Sequence, residues 1–382
     1  MNFELNDDQT MIRQMVRDFA EEKIRPGVAR RDEKEEFIAE LLPGLAELGL
    51  LGMVTPEAYG GSGLDDLSYA IAIEELARVC PSTAVTVSVT NSVCQEPILR
   101  FGTEEQKGRF LPPLAKGEHL GGFCLTEPGS GTDAGAMQTR AVRDGDAYVL
   151  NGSKAWITNT HVGKVFVVMA VTTPGTGAKG VSAFIVTSDT PGFHFLPHEK
   201  KMGLRASITS GLVFEDCRVP AENLLGQEGM GMKIALATLE VSRIGIAAQA
   251  LGIAQGAFEE AVKYSRERHT FGVPLAEHEA IQFMISEAAT QIEAARLLTY
   301  RAASLRAAGG GSGQSQASSM AKLFASECAK AVCDTAVQIH GAYGYSREYP
   351  VERFYRDVRV TTIYEGTSEV QRMVIAKSLL RD

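Results

Sequence analysis

At 382 residues the chain is too long for one ordinary hydrophobic core, and it predicts two or three structural units that share interfaces. With 45% apolar and 22% charged residues and no apolar run of bilayer length, the composition is that of a soluble globular protein and argues against a membrane span. A net charge of -9 disfavours general attraction to nucleic acid.

The chain opens on an acidic, helix-like segment, Asn6-Asp7-Asp8-Gln9, in place of the basic-then-apolar order of a secretory signal or an Arg-rich transit peptide. A cytoplasmic chain is expected, or one already processed for the mitochondrial matrix. From there to about Leu120 the pattern is helical: Met11, Met15 and Phe19 recur every four residues, and Ile12 and Val16 widen the stripe. Tyr59-Gly60-Gly61-Ser62-Gly63 lacks both a dinucleotide fingerprint and a Walker lysine, and reads as a loop before the next helix. Thr103-Glu104-Glu105-Gln106 has the form of a capping box and marks a helix start.

Near Gly121 the period changes. The runs Val165–Met169, Val181–Val186 and Gly211–Phe214, punctuated by turns such as Asp144-Gly145-Asp146, predict a small β-barrel or sandwich. After Gly226 long helical stretches return, at 232–268, 278–307 and 319–340, and predict a helical bundle. The Gly/Ser-rich piece Gly309–Gly313 reads as a flexible connection inside it. The fold class is therefore α+β and multi-domain, with units at 1–120 (helical), 121–228 (β) and 229–382 (helical), and without the alternation a nicotinamide Rossmann domain needs.

The six cysteines are scattered without a CxxC pair and read as reduced packing residues, and the seven histidines show no ligand spacing, so no metal is expected. The informative stretches lie elsewhere. Arg356-Asp357 is followed by Ile363-Tyr364-Glu365-Gly366-Thr367-Ser368-Glu369-Val370-Gln371. Phe123-Cys124-Leu125-Thr126-Glu127-Pro128-Gly129-Ser130-Gly131-Thr132-Asp133 is followed by Trp156-Ile157-Thr158. Arg243 stands in Glu240-Val241-Ser242-Arg243-Ile244-Gly245; Arg268-His269-Thr270-Phe271-Gly272 and Gln338-Ile339-His340-Gly341-Ala342 complete the set.

In this order, these stretches resemble the acyl-CoA dehydrogenase family over essentially the whole chain, and within it the short-chain, butyryl-CoA branch. The family fold is an N-terminal helical domain, a middle β-domain and a C-terminal four-helix bundle, in agreement with the order read above. The resemblance implies an FAD-dependent Cα–Cβ desaturation of an acyl-CoA in fatty-acid β-oxidation, a homotetramer built as a dimer of dimers, and electron-transferring flavoprotein as acceptor.

It further implies that Glu365 is the base, since desaturation needs one group to take the α-proton while the flavin takes the β-hydride. Enclosure would raise its pKa toward that of the acid it deprotonates. The Gly366 N–H would bind the thioester oxygen. Some relatives carry the base on the earlier helix beside the counterpart of Arg243; Ser242 stands there and cannot serve. Thr132, Glu240, Ser242, Arg243 and Tyr364 match substrate-facing positions.

For the flavin, Phe123, Leu125, Thr126, Gly131, Thr132, Trp156, Ile157 and Thr158 are the implied contacts, with Thr367 and Glu369 beyond the base. Arg268, Thr270, Phe271, Glu279, Gln338, Ile339 and Gly341 would reach the FAD of a neighbouring subunit, an Arg fork suiting pyrophosphate. Glu279 departs from the usual Gln, and Ala342 from the usual Gly. The acyl pocket is expected on the helix around Val89–Ser92 and on the helix of Glu240. Alternatives are an acyl-CoA oxidase, usually a longer chain, a branched or cyclic acyl-CoA dehydrogenase, and a DNA-associated binding member, usually with an added basic region.

Overall fold

The computed structural model describes residues 4–311 and 313–380; residues 1–3, Ser312 and 381–382, parts of the expected outer units and of the Gly309–Gly313 connection, lie outside the described residues. Helix α1 (Asp7–Phe19) starts at a reciprocal capping box: Asn6 Oδ1 accepts from the Gln9 N–H, and Gln9 Oε1 from the Asn6 N–H. Its buried stripe runs through Ile12 and Val16 and continues to Ala20 and Ile24. Met15 and Phe19 pack beside that stripe, but Met11 is 64% exposed. It lies about 100° round the helix from Ile12, beyond the covered face.

Short helices α2 (Val28–Lys34) and α3 (Leu42–Glu47) precede the Tyr59–Gly63 loop and α4 (Asp66–Val79). Helix α5 (Pro81–Val89) widens into a π turn at Thr90–Gln95 and runs on as α6 (Glu96–Phe101), so Pro81–Phe101 forms one helical rod, buried almost throughout. Within the π turn Asn91 donates to the Leu50 and Val87 carbonyls and accepts from the Met53 N–H. Helix α7 (Glu104–Ala115) begins at the Thr103–Gln106 capping box, as expected, and Gln106 Nε2 also donates to the Glu222 and Leu224 carbonyls. That cap thus ties the first helical unit to the β-domain.

The β-domain holds β1 (Leu120–Cys124), β2 (Arg140–Asp144), β3 (Ala147–Thr158), β4 (Gly163–Val171), β5 (Val181–Thr187), β6 (Phe193–His198), β7 (Thr209–Pro220) and β8 (Leu224–Leu225). They form one sheet in the order β6-β7-β3-β2-β4-β5-β8, with β1 parallel to β4. The sheet curls until Phe193 of β6 meets Phe166 of β4, ring centroids 5.3 Å apart. Alternation sorts β4 by face: Phe166, Val168 and Ala170 fill the curled interior. Val165, Val167 and Met169 pack on Ile98, Phe110, Leu111 and Leu114 of α6 and α7.

The C-terminal helices are α8 (Gly231–Glu267), α9 (Glu279–Ala307), α10 (Gln314–His340), α11 (Val351–Val358) and α12 (Ser368–Leu379). Helix α10 starts five residues before the expected 319, because Gln314, Ala317 and Ser318 are already buried. Between α8 and α9 lies a two-stranded hairpin, β9 (His269–Thr270) with β10 (Val273–Pro274). Helix α8 is long and apolar enough to cross a membrane by length and composition, contrary to expectation, but 78% of that window is buried among the other helices.

One hydrophobic core joins α1 and α4 to α8, α9 and α10, so the two helical units share an interior. Their closest approach is made by glycine: a Cβ on Gly252 would stand 2.2 Å from the Glu74 carbonyl oxygen, and one on Gly256 2.2 Å from that of Arg78. Buried Arg78 binds Glu21, Glu75 and Glu259 at the same crossing. Gly252→Ala is expected to lower the thermal midpoint despite alanine's higher helix propensity, because the added methyl meets backbone and forces α4 and α8 apart. A raised midpoint in calorimetry would contradict that packing.

Candidate active site

After α11 a 3-10 turn, Arg359–Thr362, delivers the chain to Tyr364, Glu365 and Gly366, immediately before α12. Glu365 and Gly366 have φ values of 53° and 94°. For a residue with a Cβ this left-handed conformation costs about 1–2 kcal/mol, so something must hold it. Three side chains do. The Glu365 carbonyl accepts from Arg243 Nε at 3.5 Å and Gln371 Nε2 at 3.3 Å. The Gly366 carbonyl accepts from Lys322 Nζ at 2.8 Å and Gln371 Nε2 at 2.9 Å. A Cβ at Gly366 would stand 2.6 Å from Gln371 Nε2, so a side chain there would push Gln371 off its carbonyls, in addition to straining φ. Because a trans peptide sets its C=O and N–H in opposite directions, turning the Glu365 carbonyl inward turns the Gly366 N–H outward.

The Glu365 carboxyl lies inside this frame, and its Oε2 has no hydrogen-bond partner. Burial pushes its pKa up to about 7, while the Ser242 hydroxyl, Lys322 and Arg243 pull the other way. Burial lowers the pKa of Arg243, with Glu365 and Glu240 opposing; its guanidinium, which stays charged, also donates to Ser319 Oγ at 3.3 Å. Glu240 is half-buried on α8, and Ser242 is buried with its hydroxyl donating to the Leu239 carbonyl.

Beside Glu365 the wall is apolar: Val85, Val89 and Val93 of the rod, at helical spacing, pack with Leu204, Phe123, Val360 and Tyr364. Tyr364 is fixed by donating to Gln249 Oε1 at 2.5 Å. Of the expected Val89–Ser92 segment only Val89 belongs to this wall; Thr90 and Ser92 bond the preceding helical turn, and Asn91 bonds the core. On α8, a Cβ at Gly245 would stand 2.3 Å from the Tyr69 hydroxyl, which itself bonds Ser88 at 2.8 Å.

Phe123 connects that wall to the β-domain loop. Buried Lys154 on β3 binds Glu127 Oε1 at 2.8 Å and the Leu125 carbonyl at 3.2 Å, and the Glu127 carboxylate accepts from the Gln138 and Thr139 N–H groups. This holds the loop against β3, where the Thr126 carbonyl also accepts from the Ala155 N–H. The β3–β7 register breaks between Lys154 and Ile157, and Trp156 takes a φ of 61° and stands 60% exposed. The break sends Ile157 the other way, 2% exposed in the β-domain core, so its expected side-chain contact with a ring is not made. Thr158, Leu125 and Thr126 are half-buried, and Gly131 and Thr132 exposed. An exposed indole, loop backbone and an apolar wall leading to Glu365 suit a flat ring system laid between the β-domain and the helices.

Thr367 caps α12, its hydroxyl accepting from the Val370 N–H at 3.4 Å, and Glu369 is exposed in the first turn. A second group of expected residues gathers at the far end of the helices. The Arg268 guanidinium lies 5.7 Å from the Tyr343 ring centroid, Thr270 Oγ1 bonds His278 Nε2 at 2.9 Å, and Phe271 is 98% exposed at the hairpin tip. Gln338, Gly341, Ala342 and Glu279 are exposed nearby in sequence, whereas Ile339 is buried in the helical core and offers no side chain to a ligand. At a rise of 1.5 Å per residue, α8 runs roughly 36 Å from Arg243 to Glu267, so this group is remote from Glu365. Among the described residues no three His, Cys, Asp or Glu side chains gather as metal ligands.

Three family profiles match the chain: the N-terminal domain of acyl-CoA dehydrogenase over residues 6–118, its middle domain over 122–217 and its C-terminal domain over 229–380. The chain belongs to the acyl-CoA dehydrogenase family. Acyl-CoA dehydrogenases are flavoproteins. It is 50% identical to the mitochondrial short-chain specific acyl-CoA dehydrogenase of Rattus norvegicus over 378 residues, 99% of this chain and 91% of the relative. Butyryl-CoA dehydrogenase from Megasphaera elsdenii superposes with a TM-score of 0.98 at 48% identity, covering 100% of both chains. A chain in a structure of the electron transferring flavoprotein of Acidaminococcus fermentans matches as well, with a TM-score of 0.98, 51% identity and 100% coverage of both.

For this acyl-CoA dehydrogenase, the residues that sequence reasoning missed are the supports: Lys322, Gln371, Gln249, Lys154 and Glu127. The signal for Lys322 was its place in Ser319-x-x-Lys322-x-x-x-Ser326, where three polar residues share one helical face otherwise built for burial. Lys154→Met leaves the Glu127 carboxylate buried without its cation; a loss of about 3–5 kcal/mol in urea unfolding is expected. A change below about 1 kcal/mol would show that the loop is held otherwise.

Proposed function

We propose that this chain oxidises a short-chain acyl-CoA thioester between Cα and Cβ to the trans-2-enoyl-CoA, with FAD as hydride acceptor and electron-transferring flavoprotein as the exit for the electrons. The observation that carries the reading is the Glu365 carboxyl, enclosed, unpartnered at Oε2 and raised to about 7. An ordinary carboxylate titrates near 4.3 and is too weak a base for a carbon acid. Near pH 7 a substantial fraction of Glu365 is ionised and yet each ionised group binds a proton firmly, the condition under which a general base works best.

In this mechanism Glu365 takes the α-proton as the Cα–H bond breaks. The Gly366 N–H donates to the thioester oxygen, where enolate charge develops. Bound FAD supplies the acceptor for the hydride that leaves Cβ. Arg243 and Lys322 keep positive potential behind the turn without pairing with the carboxylate, and Val85, Val89, Leu204 and Tyr364 keep water from the acyl chain. Phe123, Leu125, Thr126, Gly131, Thr132, Trp156 and Thr158 would hold the flavin on the β-domain side. A short acyl group is favoured by the 50% identity to a short-chain specific relative and 48% identity to a butyryl-CoA dehydrogenase.

The group at Arg268, Thr270, Phe271, Gln338 and Gly341 suits the FAD of a neighbouring subunit, since a single chain cannot bring it to its own Glu365. That supports an oligomer, which the family resemblance makes a homotetramer assembled as a dimer of dimers. Glu279 and Ala342 are both exposed beside this group.

Anaerobic reduction of the FAD-loaded protein by butyryl-CoA should have kcat/KM rising about tenfold per pH unit below pH 7 and levelling above, because protonated Glu365 cannot accept the α-proton. Glu365→Gln should slow single-turnover bleaching by roughly 100-fold to 10,000-fold. Near-normal bleaching in that variant would remove Glu365 from the reaction.

A further inference from the structure

Lys322 is 0% exposed in the middle of α10, yet its ammonium bonds a backbone carbonyl and no carboxylate. Among the described residues neither Lys322 nor Arg243 makes an ion pair, although both lie beside Glu365. Two buried cations next to one half-buried acid ordinarily close on it, because an unpaired buried charge is costly. Here the Glu365–Gly366 turn presents its carbonyls to the cations instead, and the carboxyl is left without an ion pair, its Oε2 unpartnered.

We propose that Lys322 is a positioning residue for proton abstraction: tethered to the Gly366 carbonyl, it locks the turn so that Glu365 remains unpaired, and it supplies a fixed positive charge that favours the ionised base. This rests on the reading of Glu365 as the base. A lysine filling space inside a helical core would do neither.

The other charged and titratable groups around Glu365 leave Lys322 a distinct part. From α8 come Arg243, fixed by Ser319 and the Glu365 carbonyl, and half-buried Glu240. From α4 comes the buried Tyr69, its pKa raised first by burial, and beside Glu365 is Tyr364, raised likewise. Asp357 lies behind Tyr364 and accepts from the Leu204 N–H. Glu327 on α10 is engaged by Ser368 and Lys330, with Arg372 of α12 at 4.0 Å, and Glu369 faces solvent. Lys322, itself pushed down to about 8 by burial, therefore remains charged while Glu365 titrates.

The test compares Lys322→Gln, which keeps a donor and loses the charge, with Lys322→Met, which loses both. Two readouts are taken: the pH profile of anaerobic flavin reduction by butyryl-CoA in the FAD-loaded protein, and the Glu365 carboxyl titration by difference infrared spectroscopy in the protein without substrate. Loss of the cation should move both the acid limb and the infrared midpoint up by about one pH unit in each variant. The high-pH plateau should fall about tenfold or more in Lys322→Met and be largely kept in Lys322→Gln. Unmoved limbs and midpoints in Lys322→Gln overturn the proposal even where Lys322→Met fails to fold. If Glu365→Gln is itself fully active, the reading of the base fails; if Glu365→Gln is inactive and the Lys322 profiles match wild type, only the role of Lys322 fails.

Discussion

The candidate active site depends on two backbone carbonyls turned inward. Those of Glu365 and Gly366 occupy Arg243, Lys322 and Gln371, and that occupation keeps an acidic side chain unpaired among buried positive charges. A direct ion pair would drop the carboxyl into the range of a spectator carboxylate and draw it away from substrate. Left-handed backbone at a glutamate is strained, and the three buried donors offset that strain. The same geometry aims the Gly366 N–H outward, so the proposed base and the proposed oxyanion donor arise from one peptide unit.

This turn is placed by packing that crosses the nominal units. Glycines on α8 let α4 approach to backbone contact, and that approach carries Tyr69 and the Pro81–Phe101 rod up against Gly245 and Glu365. The rod presents Val85 and Val89 to Tyr364 on one side, and its continuation packs on the β-sheet with Ile98 on the other. The β-domain loop is set against the same wall by a buried Lys154–Glu127 pair and by Phe123. The proposed binding surface and the Glu365–Gly366 turn are thus products of one continuous interior.

Much of this was legible in the residues. Helical period located α8, α9 and α10 to within a few residues, Thr103 and Gln106 announced a helix start that the structure contains, and the Tyr-Glu-Gly-Thr-Ser-Glu stretch pointed to the candidate base. What escaped has physical causes. Met11 fits the period of α1 and is still exposed, because periodicity gives a spacing and no neighbour. Ile157, expected beside Trp156 at the flavin, turns into the β-domain core at a register break that alternation cannot foresee. Lys322 sits on a helical face built for burial, but its partner Gly366 stands 44 residues later, where local pattern does not reach. The shared helical interior is likewise invisible to a reading that divides the chain by local pattern.

The central claim is that the fold itself, before any substrate arrives, holds Glu365 as an unpaired, raised carboxyl. Isotope-edited infrared titration of the carboxyl stretch, wild type minus Glu365→Gln, measures this directly. The account predicts a protonated carboxyl band that disappears with a midpoint near pH 7. A midpoint near the ordinary value of about 4.3 would mean that the carboxylate is paired or solvated, and would contradict it.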